Sequence, residues 1–371
     1  MKDQLLKYKI AISLIPGIGS ILAKKLIEYA GGPGEVFGIP PRSLERVPGI
    51  GKKLAREISR KDILNEAERE IQFIRKYNIR PLFYLDEEYP ERLKECQDSP
   101  VMIYIKGLAQ LNHQKIISII GTRKATDNGR EICNKLVKDL AERGHDPLIV
   151  SGLAYGIDIC AHRAALKNGL GTVAVLGHGL SNIYPPAHSN DAREIVKKGA
   201  LVTDFPSAEK PRKNNFIKRN RIIAGMSDAT IVIESGKKGG ALITADLANS
   251  YDRDVFAFPG RITDKYSAGC NKLVKTHKAA LIESITDLEY MLGWESKEKS
   301  RSSEQKKIFD SLSAEEKEIL ALIDKKGEAS IDDLCSESGH HMGKVSHLLL
   351  NLEFAGYLKS LPGKIYKIPL K

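Results

Sequence analysis

The chain has 371 residues, 42% of them hydrophobic and 28% charged, an ordinary globular composition with length for two or three domains. Its formal net charge of +11 favours a polyanionic partner. It has no run of about 18 apolar residues, its opening MKDQLLKYKI lacks the apolar stretch of a signal peptide, and its five cysteines (Cys96, Cys133, Cys160, Cys270, Cys335) form no CxxC pair. These features argue against a membrane span, a zinc site and a disulfide framework, and they fit a reducing cytoplasm.

Residues 1–80 are the most basic stretch for their length, with 16 Lys/Arg against 9 Asp/Glu. They contain a repeat: SLIPGIGSILAKKLIEYA (13–30) and ERVPGIGKKLAREISR (45–60) share an apolar residue, Pro-Gly-Ile-Gly and a short basic helix. This is the helix-hairpin-helix pattern. Its glycines, Gly17 and Gly19, then Gly49 and Gly51, permit a tight turn and leave backbone N–H groups free at the next helix start. Such groups bind a DNA phosphate without reading sequence, and Lys24 and Lys52 add charge. Hairpins of this kind also serve as packing units, and both readings stay open.

Beyond residue 80 the period changes. PLFYLDEEYPERL (81–93) and VMIYIKG (101–107) read as short strands around a loop. KIISIIG, PLIVSG, GTVAVLGHG, ALVTDF, ATIVIES and DVFAFPG then read as buried strands, most of them separated by helical stretches of 10–15 residues. Continuous apolar strands with helical crossovers predict an α/β fold, a Rossmann-like doubly wound parallel sheet over 81–295. An all-α helix-hairpin-helix domain precedes it over 1–80. Residues 296–310 read as a polar linker, and 311–371 as a winged helix with 8 Lys/Arg against 9 Asp/Glu. The third helix of that last domain offers Lys344 and three histidines, so it suits protein contact better than duplex reading.

Ligands of such sheets sit at the strand carboxyl ends. There GTRKATDNGR places Gly121, Thr122 and Arg123 at a turn where a phosphate can approach the backbone. SGLAYGIDICAH puts Asp158 and His162 on one helical face, more in keeping with a packing pair than an acid–base pair. Tyr184, before Pro185, presents a ring to a base or anchors its loop, the second being favoured. NNFIKRNRIIAG joins Phe216 to Lys218, Arg219 and Arg221, charge plus a stacking face, which suits single-stranded nucleic acid. Helical spacing sets Ile217, Arg221 and Ala224 on one side and Lys218 with Arg219 on another, with Asn220 ordering the site. IESGKKGGALITADLA offers Lys237, Lys238 and a glycine-rich helix start at Gly240, with Thr244 a turn later, and Glu234 to order cations or act as an acid. No dinucleotide fingerprint, P-loop, nucleophile elbow or metal cluster is present, so the expectation is a binding protein without catalytic residues, metal or cofactor.

Taken together, GTRKAT, SGLAYGIDICAHRAAL, VAVLGHGLSNIYPPAH, FIKRNRIIAG, GGALITADLA and FPGRITDKYSAGCNKLV resemble the DNA-processing DprA family, also called Smf, along essentially the whole chain. The resemblance implies a cytoplasmic single-stranded DNA-binding protein that protects incoming DNA and loads RecA onto it during natural transformation. It further implies interplay with single-stranded-DNA-binding protein and a homodimer formed through the Rossmann-like domain. Matched by motif, the family's positive pocket falls on Gly121, Arg123, Phe216, Lys218, Arg219, Asn220 and Arg221, with Gly240 and Thr244 nearby. Here Gly-Thr-Arg stands for the family's Gly-Ser-Arg, Thr203-Asp204 for Ser-Glu, and Gly239-Gly240 for Ser-Gly, which removes a hydroxyl. A second reading is a Rossmann-class phosphoribohydrolase, because Glu234 and GKKGG are similar to that enzyme's catalytic Glu and glycine loop, although its PGGxGTxxE motif is absent. A third is a structural adaptor with solvated basic loops.

Overall fold

The Pro-Gly-Ile-Gly turns fold as hairpins because Gly17 and Gly49 take φ values of +81° and +94°, a region that L side chains rarely adopt. In the computed structural model, which describes residues 2–60, 62–295, 313–354, 357–361 and 363–368, they join α1 (Lys2–Leu14) to α2 (Ser20–Ala30) and α3 (Pro41–Leu44) to α4 (Lys52–Ile58). The repeats pack reciprocally. A Cβ on Gly17 would lie 3.0 Å from Leu54 of the second repeat, and one on Gly49 would lie 3.4 Å from Leu22 of the first. Helix α5 (Asp62–Lys76) closes this bundle. Its core of Ile10, Leu26, Leu44, Ile58 and Ile63 runs on into Phe83, Met102 and Tyr104 at the sheet edge. By contacts the chain divides into two compact units, Met1–Lys297 and Glu298–Lys371, so the hairpins and the sheet share one unit. The linker expected at 296–310 lies outside the described residues.

The sheet strands are β1 (Arg80–Phe83), β2 (Met102–Gly107), β3 (Ile116–Ile120), β4 (Leu148–Ser151), β5 (Thr172–Val175), β6 (Ala200–Thr203), β7 (Ala229–Val232), β8 (Asp254–Ala257) and β9 (Ala280–Leu281). They form one nine-stranded sheet in the order β1-β2-β6-β5-β4-β3-β7-β8-β9. Strands β3 to β9 run parallel, while β1 and β2 add an antiparallel edge beside β6. That edge departs from an all-parallel sheet; the connection from β1 to β2 carries only the four-residue helix α6 (Glu91–Lys94), where a parallel crossover usually carries a longer one. Strand β9, two residues long, leaves no apolar run to read.

Helices α7 (Asp127–Glu142), α8 (Ile157–Lys167), α9 (Ser189–Lys198) and α13 (Ile285–Leu292) cover one face. Helices α10 (Lys213–Met226), α11 (Gly240–Ser250) and α12 (Ala268–Lys275) cover the other. The chain steps from β3 to β4 on one side and returns to β7 on the other, so the topological switch lies between β3 and β7. The second unit has α14 (Ala314–Lys326), β10 (Glu328–Ser330), α15 (Ile331–Ser338), α16 (Met342–Phe354), β11 (Lys359–Leu361) and β12 (Ile365–Lys367), with the three strands in one small sheet. This is the winged-helix order. Among the described residues no helix is long and apolar enough to cross a membrane.

Candidate nucleic-acid interface

At the switch point a cleft of about 940 Å³ opens between α10, the loop after β3, and the loop joining β7 to α11. Its wall carries an aromatic pair: the rings of Phe216 and Tyr184 lie 5.6 Å apart, tilted by 40°. The guanidinium of Arg123 sits 5.6 Å from the Phe216 ring centre, within cation–π range. Tyr184, for which the sequence favoured a loop anchor, is 42% exposed and lines the cleft. Lys213 and Lys238 also line the cleft, and neither has an ion-pair partner among the described residues.

The opposite wall is the start of α11. Its N-cap is Gly239, which has no side chain to cap the helix, so first-turn N–H groups face the cleft at Gly240, Ala241 and Leu242. Asn220 of α10 donates to Gly240 O at 3.4 Å and joins the two helices there. Thr244 lines the cleft but turns its hydroxyl back to Gly240 O at 3.1 Å. Of the tandem lysines after β7, Lys238 lines the cleft; Lys237 is exposed and does not.

Gly121 and Thr122 line the cleft floor. A Cβ on Gly121 would meet Ile157 and Glu234 O, so glycine is needed here for packing beneath the loop. Arg219 also lines the cleft, yet it is only 3% exposed. Its guanidinium donates to Val175 O, and its Nε has no hydrogen-bond partner. Burial pushes its pKa down to about 10, so it stays charged at neutral pH. Asp158 lies close by: a Cβ on Gly152 would meet both its carboxylate and the Arg219 guanidinium. Burial raises the Asp158 pKa, and the positive charge of Arg219 opposes that shift.

Arg221 and Lys218 point away from the cleft. Arg221 pairs with Asp204 and donates to Asp98 O and, at 3.2 Å, to Ser20 Oγ. It ties α10 to the first hairpin. Lys218 is exposed on that same side. The expected face with Lys218 and Arg219 together is therefore divided, because Lys218 shares its side with Arg221, three residues on, and Arg219 turns inward. Among the hairpin residues, Gly17, Gly19, Gly49, Gly51 and Lys52 are exposed, and Lys24 is held by Ser99 Oγ at 2.6 Å and Gln97 O at 3.3 Å.

The side chains weighed for acid–base chemistry are engaged in structure. His162 is fully buried: Nδ1 donates to Thr172 Oγ1 (2.7 Å), that hydroxyl donates to Ile149 O (2.9 Å), and Nε2 accepts from Leu153 N–H (3.3 Å). Desolvation drives its pKa down to about 3, which keeps the ring neutral. Glu234 is 6% exposed and accepts from Thr126 N–H (3.0 Å) and Thr126 Oγ1 (2.5 Å), bracing the N-cap of α7. Among the described residues it pairs with no Lys or Arg, and it does not line the cleft. Among the described residues no group of three or more His, Cys, Asp or Glu could hold a metal ion, and all five cysteines are free thiols.

Sequence reasoning missed Lys213 and Ser235 in the cleft. Lys213 lay in the basic lead-in EKPRK, next to the motif, and its place in the first turn of α10 is the signal that would have found it. Ser235 is buried and its loop is held by Ser235 N–H to Tyr266 O (2.7 Å), a contact with no trace in local pattern.

Comparison with known proteins matches residues 80–293 to the family model described as DNA recombination-mediator protein A, and residues 303–364 to the DprA winged helix domain. A putative DNA processing protein DprA from Mycobacterium tuberculosis is 32% identical over 85% of this chain and 84% of its own. Protein Smf from Synechocystis is 31% identical over 97% of this chain and 98% of its own. The crystal structure of DprA from Streptococcus pneumoniae superposes with a TM-score of 0.67 at 32% identity, covering 76% of this chain and 96% of that one. A Helicobacter pylori DprA structure, described as showing a unique single-stranded DNA binding mode, gives 0.52 at 28% identity, covering 58% and 96%.

Proposed function

Because the chain belongs to the DprA family of DNA recombination-mediator proteins, we propose that its switch-point cleft binds single-stranded DNA. One observation carries the reading: the Phe216–Tyr184 ring pair shares one cleft with Arg123, Lys213, Lys238 and the uncapped start of α11. Bases need a ring face and phosphates need cations and N–H donors, and single-strand sites combine the two without reading sequence. The bases stack on Phe216 and Tyr184, and the backbone lies toward α11 and the lysines. Arg219 supports the cleft from beneath with a charge held in low dielectric.

The wider role follows the family resemblance. The protein covers incoming single strands, displaces single-stranded-DNA-binding protein and hands the strand to RecA during transformation, as a cytoplasmic homodimer joined through the Rossmann-like domain. It acts as a binding protein, without chemistry of its own.

The test is a salt titration of binding to single- and double-stranded oligonucleotides, with the wild type and Arg123→Gln. Single strands bind more tightly, and Arg123→Gln lowers the log–log salt slope by about 0.7, the value of one phosphate contact on a single strand. Equal affinity for both forms, or an unchanged slope in the variant, contradicts the assignment.

A further inference from the structure

Helix α10 has a second working side. Beyond its cleft face lies a groove of about 680 Å³ between the helix and the two hairpins, lined among others by Ile18, Gly19, Ile21, Lys25, Phe205 and Lys218. Consecutive residues of α10 line the two cavities: Ile217, 41% exposed, the cleft, and Lys218 the groove.

The charge in this groove is sorted. At its base Arg221 and Asp204 neutralise each other, and Asp98 accepts the Tyr251 hydroxyl at 2.7 Å. Lys24 is held by Ser99 and by the Tyr84 ring, 5.5 Å from its ammonium. Lys25 and Lys218 are exposed and have no partner among the described residues. The exposed Ile21 and the half-buried Phe205 line the same groove, apolar surface against which bases can lie. The groove thus repeats, in weaker form, the mix of cation and apolar face found in the cleft.

We propose that this groove is a continuation of the single-strand site. A strand leaving the cleft crosses α10 at Ile217 and lays its backbone along Lys218 and Lys25, so the hairpins hold the emerging strand. The inference rests on the single-strand reading of the cleft. It also gives the reciprocal hairpin packing a role, because that packing brings Gly19 of one repeat and Gly49 of the other to the same groove.

The test compares oligothymidylates of about 5 and about 16 nucleotides, lengths that bracket a compact and an extended site. Lys25→Gln/Lys218→Gln binds the short oligomer like the wild type. It binds the long one several-fold more weakly, with a log–log salt slope lower by about 1.4, and Lys25→Gln alone lowers the slope by about 0.7. Both side chains are exposed, so the thermal midpoint stays at the wild-type value and reports that the fold is intact. An unchanged slope for the long oligomer in the double variant overturns the groove and leaves the cleft standing. If the wild type binds neither oligomer, the cleft reading fails and the groove falls with it.

Discussion

The wall of the cleft and the layer behind it draw on the same motifs and do different work. Arg123, Phe216, Tyr184, Lys213 and Lys238 reach open space. Arg219, Asp158, His162 and Glu234 are nearly or fully buried. Arg219 and Lys218 are neighbours in sequence, yet one charge is desolvated beneath the site and the other stands in solvent. A count of cations in a motif is therefore no count of contacts: buried charges hold the loops in place, and exposed ones are left to meet a ligand.

Variants separate the layers. The largest effect is expected of Arg219→Met, which leaves Asp158 buried without its opposing charge and costs about 3 kcal/mol of stability. Urea unfolding measures it. Unchanged stability with lost DNA binding would break the division by making Arg219 a contact residue. Next is the pH dependence from His162. Its folded pKa of about 3 lies below the unfolded value near 6.5, so as pH falls the unfolded chain takes up the proton first. The stability this group contributes is complete above pH 6.5 and is lost on the way down to pH 3, about 2 kcal/mol of it between pH 7 and pH 5. His162→Gln flattens the stability profile over that interval; a profile as steep as the wild type's would show that His162 is not held neutral.

Much of this organisation was legible in the chain. The duplicated Pro-Gly-Ile-Gly named the hairpins because positive φ at that spacing calls for glycine, and the apolar runs named eight of the nine sheet strands because buried parallel strands need continuous hydrophobic residues. The candidate cleft lies at strand ends, where βαβ topology sends ligands. What could not be read was the direction in which each side chain of KNNFIKRNRIIAGM points. Helical period fixes relative angles only, and which angle faces the cleft was set by packing of α10 on α11 and by the tie from Arg221 to Asp204 and the first hairpin. Likewise Glu234 looked available beside a glycine loop, and only tertiary contact shows it engaged by Thr126.

The most direct test of the central claim is photocross-linking of a single strand carrying iododeoxyuridine, with the linked residue located by mass spectrometry. Cross-links at Phe216 and Tyr184, and loss of the Phe216 link and of binding by about 1–2 kcal/mol in Phe216→Ala at an unchanged unfolding midpoint, are the predicted result. Cross-links confined to residues outside the cleft, with Phe216→Ala binding like the wild type, would contradict it.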